Sequence, residues 1–383
     1  MSEVRHDWLS DRWVIFAPSR SERPDEYESV LRESRSSLEQ LAFNQDARRA
    51  CPFCCGHESE TPPSVLQYGC EDANQRDWRV RVVPNKFPAV IPVPTLPPFE
   101  IESELRPNSS RADHESDRMR SILFHRQPML GAHEVIIETP EHLASVTQLS
   151  IPHLAMVLQA FQHRLQHWRS HPTLQYAVVF KNCGADAGAS LFHTHSQLIA
   201  TSFVPPEITR LCHRMENFRQ EFHQCFQCTV LREEVEQQQR VVEQHSDFVS
   251  YCPYASTLPY TLVLAPREHQ SQFENLGGAD LDAFASMLHR HLRALEALLP
   301  QQSYNFVLHT SPFHDHWNRS FHWRLEIFPR LTKLAGFEWG SNCSINPVIP
   351  EIAAEKFRRT LQELGLAGNL SHANPIPHAV KVR

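Results

Sequence analysis

Apolar residues gather in short β-rich runs at Trp78–Val83, Glu134–Glu138 and Tyr176–Lys181, and between the last two runs the period changes. There Leu154, Leu158, Phe161, Leu165 and Trp168 recur at the spacing of one helix face, and Ser150 stands where a helix N-cap is expected. The order strand, helix, strand then returns. Glu134-Val-Ile-Ile-Glu-Thr-Pro-Glu-His142 is echoed by Thr261-Leu-Val-Leu-Ala-Pro-Arg-Glu-His269, and the helical stretch by Leu281, Phe284, Leu288, Leu292 and Leu295. Tyr176-Ala-Val-Val-Phe is echoed by Tyr304-Asn-Phe-Val-Leu, and Phe192-His-Thr-His by Phe321-His-Trp-Arg. The offsets are 127 from His142 to His269, 128 from Tyr176 to Tyr304 and 129 from His193 to His322. So small a drift predicts an internal duplication. The expected fold is α+β with two duplicated domains, residues 1–205 and 206–383, each an antiparallel sheet with packed helices. Two polar stretches, Val30–Ala50 and Pro88–Met119, read as long surface loops.

Composition narrows the function. A chain of 383 residues with 41% hydrophobic content can bury a large core in two domains. Its formal net charge of −7 argues against gripping a nucleic-acid backbone, which needs clustered Lys and Arg. No run approaches the roughly 20 apolar residues that cross a bilayer, and the first residues lack an apolar signal core. A cytoplasmic location is therefore expected, with neither membrane nor nucleic acid as partner. Four of the ten cysteines form Cys51-Pro-Phe-Cys54 and Cys225-Phe-Gln-Cys228, a spacing that suits metal better than disulfides in a chain this long.

The sharpest chemistry lies in Phe180-Lys-Asn-Cys-Gly-Ala-Asp-Ala-Gly-Ala-Ser-Leu-Phe-His-Thr-His-Ser-Gln197. A strand ends near Asn182, and Gly184 and Gly188 let the following loop approach a ligand closely. A second strand carries His193, His195 and Gln197 at alternate positions, hence on one face. A neutral imidazole there can attack phosphorus and later leave. Chance His-x-His pairs are expected among 24 histidines, and His289/His291 and His314/His316 are read as exposed helix and loop positions. Cys51 and Cys54 aim two thiolates at one ion, with His133 and His193 as the best-placed partners for tetrahedral zinc. Cys225 and Cys228 open the second half in the same manner, with His322 as third ligand and Asp247 or His245 as fourth.

These motifs resemble the galactose-1-phosphate uridylyltransferase family of the histidine triad superfamily, with features of plant ADP-glucose phosphorylases. The resemblance is carried by Arg20-Ser-Glu-Arg23-Pro24, Cys51-Pro-Phe-Cys54, Val83-Pro-Asn-Lys-Phe-Pro88, Gly131-Ala-His133-Glu-Val, the Asn182 to Gln197 segment, and Phe321-His-Trp with Gly336-Phe-Glu338. It implies that His195 is uridylylated by UDP-glucose and that a hexose-1-phosphate then takes the uridylyl group, placing the protein in galactose metabolism. Gln197 would hold phosphoryl oxygens. Arg20, Arg23, Asn85, Asn182, Gly188 and Ser190 would contact base, ribose or phosphates, and Glu338 the sugar hydroxyls. A homodimer that shares residues across the site is implied as well. Arg324 stands where many members carry a second metal-ligating histidine, and Asp247 where some plant-like members place one. Two alternatives stay open: a nucleotide-sugar phosphorylase that uses the same His195 chemistry, and a zinc-stabilised nucleotide-binding protein without catalysis.

Overall fold

The structure is a computed structural model that describes residues 51–69, 77–93, 119–120, 122–313, 316–333 and 335–367, with two strands nearer the amino terminus. Those strands, β1 (Glu3–Asp7) and β2 (Arg12–Phe16), pair with each other. Next come β3 (Leu66–Tyr68), β4 (Val80–Pro84), β5 (Ile91–Pro92) and β6 (Arg126–Pro128), of which β6 completes a small sheet beside β1. The first half continues with β7 (Leu130–Ile137), helix α1 (Ile151–Arg169), β8 (Tyr176–Cys183) and β9 (His195–Thr201). Helices α2 (Pro206–Phe222) and α3 (Phe226–Gln237) lead into β10 (Val241–Gln244), β11 (Phe248–Tyr251) and β12 (Leu262–Pro266). The chain closes with α4 (Gly278–Leu298), β13 (Tyr304–His309), β14 (Arg324–Pro329), α5 (Gly336–Ser341) and α6 (Pro350–Glu363).

Strand order repeats between the halves. The main sheet runs β10-β11-β12-β14-β13-β8-β9-β7-β4-β3, with β5 beside β7. Read outward from its centre, the first half is β8-β9-β7-β4-β3 and the second β13-β14-β12-β11-β10, the same succession in each. The fold is α+β, and the two half-sheets are joined into one: β8 and β13 pair antiparallel, with Val179 opposite Leu308 and Phe180 opposite Val307. At the repeat offset of 128, Val179 corresponds to Val307 and Phe180 to Leu308, so these two rungs exchange and the pseudo-twofold axis passes between them.

Both long helices cover one face of this sheet. Ser150 caps α1 by accepting the His153 N–H at 3.4 Å, and Leu154, Leu158, Phe161 and Leu165 go inward. On α4 the matching residues are Leu281, Phe284, Leu288, Leu292 and Leu295, and the two helices pack on each other over the central strands. Each such side chain, fully buried, contributes roughly 1.5–3 kcal/mol. Trp323 fills the second half, edge-on to Phe273 and Phe284 at 5.1 Å each. His291 is not exposed as expected: it is wholly buried, with Nδ1 on the Met287 carbonyl and Nε2 on Ser250 Oγ at 2.7 Å.

The opposite face is covered differently in each half, and that difference creates the site. In the second half Leu231 of α3 lies on Val241, Val249, Tyr251, Val263 and Ala265. The first half has instead the loop around Cys51, Phe53 and Cys54, packed on Val83, Val135, Ile137 and Leu191, which leaves a cavity beside β9. No described helix is long and apolar enough to cross a membrane.

Candidate active site and metal centres

Pairing places His195 and Gln197 on one face of β9, opposite Ile137 and Val135 of β7. Both line a cavity of about 520 Å³ with Phe53, Asn85, Lys86 and Ser190. Nδ1 of His195 donates to the His193 carbonyl at 2.7 Å, so the lone pair is on Nε2. Burial holds the His195 pKa down, to about 4, so the ring is neutral at ordinary pH. Phe53 stands edge-on to it, with ring centroids 5.2 Å apart.

Beneath β9 a buried ion pair fixes the backbone. Lys181 Nζ donates to Glu138 Oε2 at 2.7 Å, to Thr194 Oγ1 at 2.8 Å and to the His195 carbonyl at 3.0 Å. Glu138 also accepts from Thr194 and Ser196, and its carboxyl stays below the usual range despite burial because Lys181 faces it. Both buried charges thus have partners, as burial demands.

His193 lies outside the strand and does not share the cavity face. Its Nε2 donates to the Thr139 carbonyl at 2.8 Å, which turns Nδ1 toward Cys51 Sγ at 3.5 Å and Cys54 Sγ at 3.6 Å. The fourth member of this buried group is His142, with Nδ1 3.4 Å from Cys54 Sγ. Its neighbours hold the Cys54 thiol low, at about 3, through a hydrogen bond from Cys51 and then through His142 and His193. His133, expected as a ligand, is not in the group. It sits within β7, not before it, and its ring faces Gln197.

A second group, Cys225, Cys228, His269 and His322, repeats the first in the other half. His322 donates from Nε2 to the Pro266 carbonyl at 3.0 Å, which turns Nδ1 toward Cys228 Sγ at 3.4 Å; His269 donates from Nε2 to the Asn318 carbonyl at 2.9 Å. Asp247, expected as a ligand, lies apart beside Ser246 and His245, its carboxylate 3.1 Å from the His245 ring. His245 is not in the group either. In each quartet the ligand atoms lie within 4.8 Å of one another. Each set has two thiols and two imidazoles, with His193, His269 and His322 oriented by carbonyls, and such a donor set can hold a metal ion.

The remaining expected residues divide. Asn85 and Ser190 line the cavity. Asn182 is instead tied to Asn305 of the second half, whose Nδ2 reaches Asn182 Oδ1 at 2.8 Å and the Ala187 carbonyl at 2.9 Å. That clamp steadies the loop ending at Gly188, whose φ of 82° only glycine adopts freely. Glu338 caps its own helix by accepting the Ala335 N–H at 3.0 Å and is not among the cavity residues. Arg20 and Arg23 lie outside the described residues. Sequence reasoning overlooked Phe53, Thr61 and Lys86 in the cavity wall, although Phe53 and Lys86 belong to motifs already singled out.

A family model described as the N-terminal domain of galactose-1-phosphate uridyl transferase matches residues 1–205, which hold every residue lining this cavity. An ADP-glucose phosphorylase of Arabidopsis thaliana is 31% identical over 358 residues, 93% of this chain and 92% of that one. The chain belongs to the galactose-1-phosphate uridyl transferase family. Another relative, a galactose-1-phosphate uridylyltransferase of Thermotoga maritima, is 24% identical over 372 residues, 95% of this chain and all of that one. A crystal structure of an ADP-glucose phosphorylase from Arabidopsis thaliana with bound ADP-glucose superposes with a TM-score of 0.66 at 30% identity, covering 94% of this chain and 98% of that one. A second family model, a domain of unknown function (DUF4921), matches residues 117–383 and so overlaps the first over residues 117–205. The uridyl transferase family model thus covers residues 1–205, and these relatives extend over 93% and 95% of the chain.

Proposed function

We propose that the protein is a nucleotidyltransferase that moves a nucleoside monophosphate from a nucleotide sugar to a phosphate-bearing acceptor, through a covalent intermediate on His195. The observation that carries this reading is the geometry of His195: a buried neutral imidazole, anchored at Nδ1, facing a cavity lined by amides and a lysine. Nε2 attacks the phosphorus next to the nucleoside. The N–P bond forms, the bond to the bridging oxygen breaks, and the sugar phosphate leaves with that electron pair. Positive charge on the ring is relieved by the Nδ1–H donation to the His193 carbonyl. A phosphate oxygen of the acceptor then attacks the same phosphorus, and Nε2 leaves. Gln197, Asn85 and Ser190 bind the phosphoryl and nucleoside groups, and Lys86 adds positive charge to the cavity wall.

In the leading form of this proposal UDP-glucose is the donor and a hexose-1-phosphate the acceptor. The second form, phosphorolysis of ADP-glucose, is favoured by the 31% identity to the Arabidopsis phosphorylase. Zinc is the metal proposed for both quartets, held by Cys51, Cys54, His142 and His193 and by Cys225, Cys228, His269 and His322; it would tie loops to strands without entering the chemistry. Glu338 would meet the sugar only from a second copy of the chain, in a homodimer.

The test is to incubate pure protein separately with UDP-glucose and ADP-glucose and weigh the intact chain. A gain of one UMP or one AMP names the donor, and discharge by galactose-1-phosphate or by inorganic phosphate names the acceptor. No covalent gain with either donor would refute the proposal.

A further inference from the structure

His133 is buried, with 5% of its surface exposed, and belongs to neither Cys/His quartet, so the purpose of its ring needs another explanation. We infer that His133 is a positioning residue which fixes the orientation of the Gln197 side-chain amide, so that its NH2 group faces the cavity. The inference rests on the nucleotidyl-transfer reading for its consequence, though not for its geometry.

The argument begins at the backbone. The Ala89 N–H donates to His133 Nδ1 at 3.1 Å. A neutral imidazole that accepts at Nδ1 carries its proton on Nε2. Among the described residues, Gln197 Oε1 lies 2.9 Å and Asn85 Nδ2 3.1 Å from that nitrogen. Asn85 cannot accept the proton, because its own amide oxygen takes the Phe87 N–H at 2.8 Å and its NH2 is therefore the end toward the ring. Gln197 supplies the oxygen, at 2.9 Å. Were its amide reversed, Nε2–H would face an NH2 group where it now has the Gln197 oxygen, and a buried hydrogen bond would be lost at a cost of about 1–3 kcal/mol.

With the oxygen held by His133, the Gln197 nitrogen points to the other side, where His195 lines the same cavity. The wall then offers a donor to an anionic phosphoryl oxygen. A reversed amide would present an oxygen and repel it. Two main-chain N–H groups, those of Ala89 and Phe87, thus set the polarity of two side-chain amides at the site.

The test has two readouts. Nitrogen NMR of histidine-labelled wild-type protein should show His133 as the Nε2–H tautomer; an Nδ1–H tautomer would overturn the inference whatever the enzyme does. In single-turnover nucleotidylation, His133→Phe should slow transfer about 10- to 100-fold, less than the 10²–10³ of deleting an oxyanion donor outright, and in steady-state assays kcat should fall far more than KM. His133→Gln, whose amide NH2 reaches toward Gln197 as Nε2–H does, should recover most of the rate and serves alone if His133→Phe does not fold. Wild-type rate in His133→Phe, or equal losses in both variants, would show that the ring only fills space. If wild type gains no nucleotide from either donor, the functional reading fails while the tautomer still decides the amide orientation.

Discussion

Nδ1 of His195 donates its proton to the main-chain carbonyl of His193, two residues back, at 2.7 Å. One residue of the first Cys/His quartet therefore holds the proposed nucleophile through its backbone while its ring is turned to Cys51 and Cys54. The two histidines of the His-x-His pair are not interchangeable. Only His195 has a nitrogen lone pair toward the cavity.

Replacing that ring should separate chemistry from folding. His195→Gly is expected to bind donor yet gain no nucleoside monophosphate by intact mass, with thermal unfolding close to wild type. Added imidazole should restore part of the transfer by filling the vacated space. A variant that still acquires the nucleotide would move the nucleophile elsewhere.

Metal content should discriminate between two histidines only nine positions apart. His142→Ala is expected to lose about one of two zinc equivalents and to unfold at lower temperature, since removing one of four ligands opens the tetrahedral set. His133→Ala should retain both. Elemental analysis of the dialysed proteins checks this, and the reverse result would restore His133 as the ligand.

A buried bidentate pair ties α1 to β7. Arg164 Nε meets Glu134 Oε2 at 2.8 Å and Nη2 meets Oε1 at 2.6 Å, with the carboxylate 3% exposed. Glu134→Ala leaves the guanidinium buried without its partner and should cost about 3–5 kcal/mol. Denaturant unfolding measures it; a loss below about 1 kcal/mol, the scale of an exposed pair, would mean that water reaches Arg164.

Acid should weaken the fold through His309. Burial, with Arg324 adding to it and Glu326 opposing, lowers this imidazole from 6.5 to about 4. Below pH 6.5 the unfolded chain takes up the proton more readily than the folded one, so this contribution is complete above that pH and is lost as pH falls toward 4. The loss is up to about 3 kcal/mol. Unfolding curves between pH 7 and 4.5 should be flatter for His309→Gln than for wild type; identical slopes would place the acid sensitivity elsewhere.

Much of this arrangement could be read from residue order. The period change around Leu154 to Trp168 located α1, and the echoes of Tyr176 in Tyr304 and of His193 in His322 announced the shared strand order. The same echo pairs His142 with His269, which turn out to complete the two quartets. They were passed over because β7 was expected to start at Glu134, which put His133 at a strand end; the strand begins at Leu130, so His133 falls inside it. The fusion of the half-sheets left no trace in sequence, since a ladder between β8 and β13 is made by backbone groups that every residue possesses. Nor could the polarity of Gln197 be foreseen, because it depends on main-chain N–H groups over 100 positions away.

The ladder between β8 and β13 also limits how this molecule can be divided or flexed. The family match ends at residue 205, yet a fragment cut there would present β8 as a bare edge, with the row of N–H and C=O groups that β13 now occupies open to any other strand. Such a fragment would be a template for aggregation and not an independent enzyme. For the intact chain the same continuity removes the hinge by which many two-lobed enzymes open and shut, so entry and exit of ligands fall to the loops around the cavity mouth, against a rigid floor.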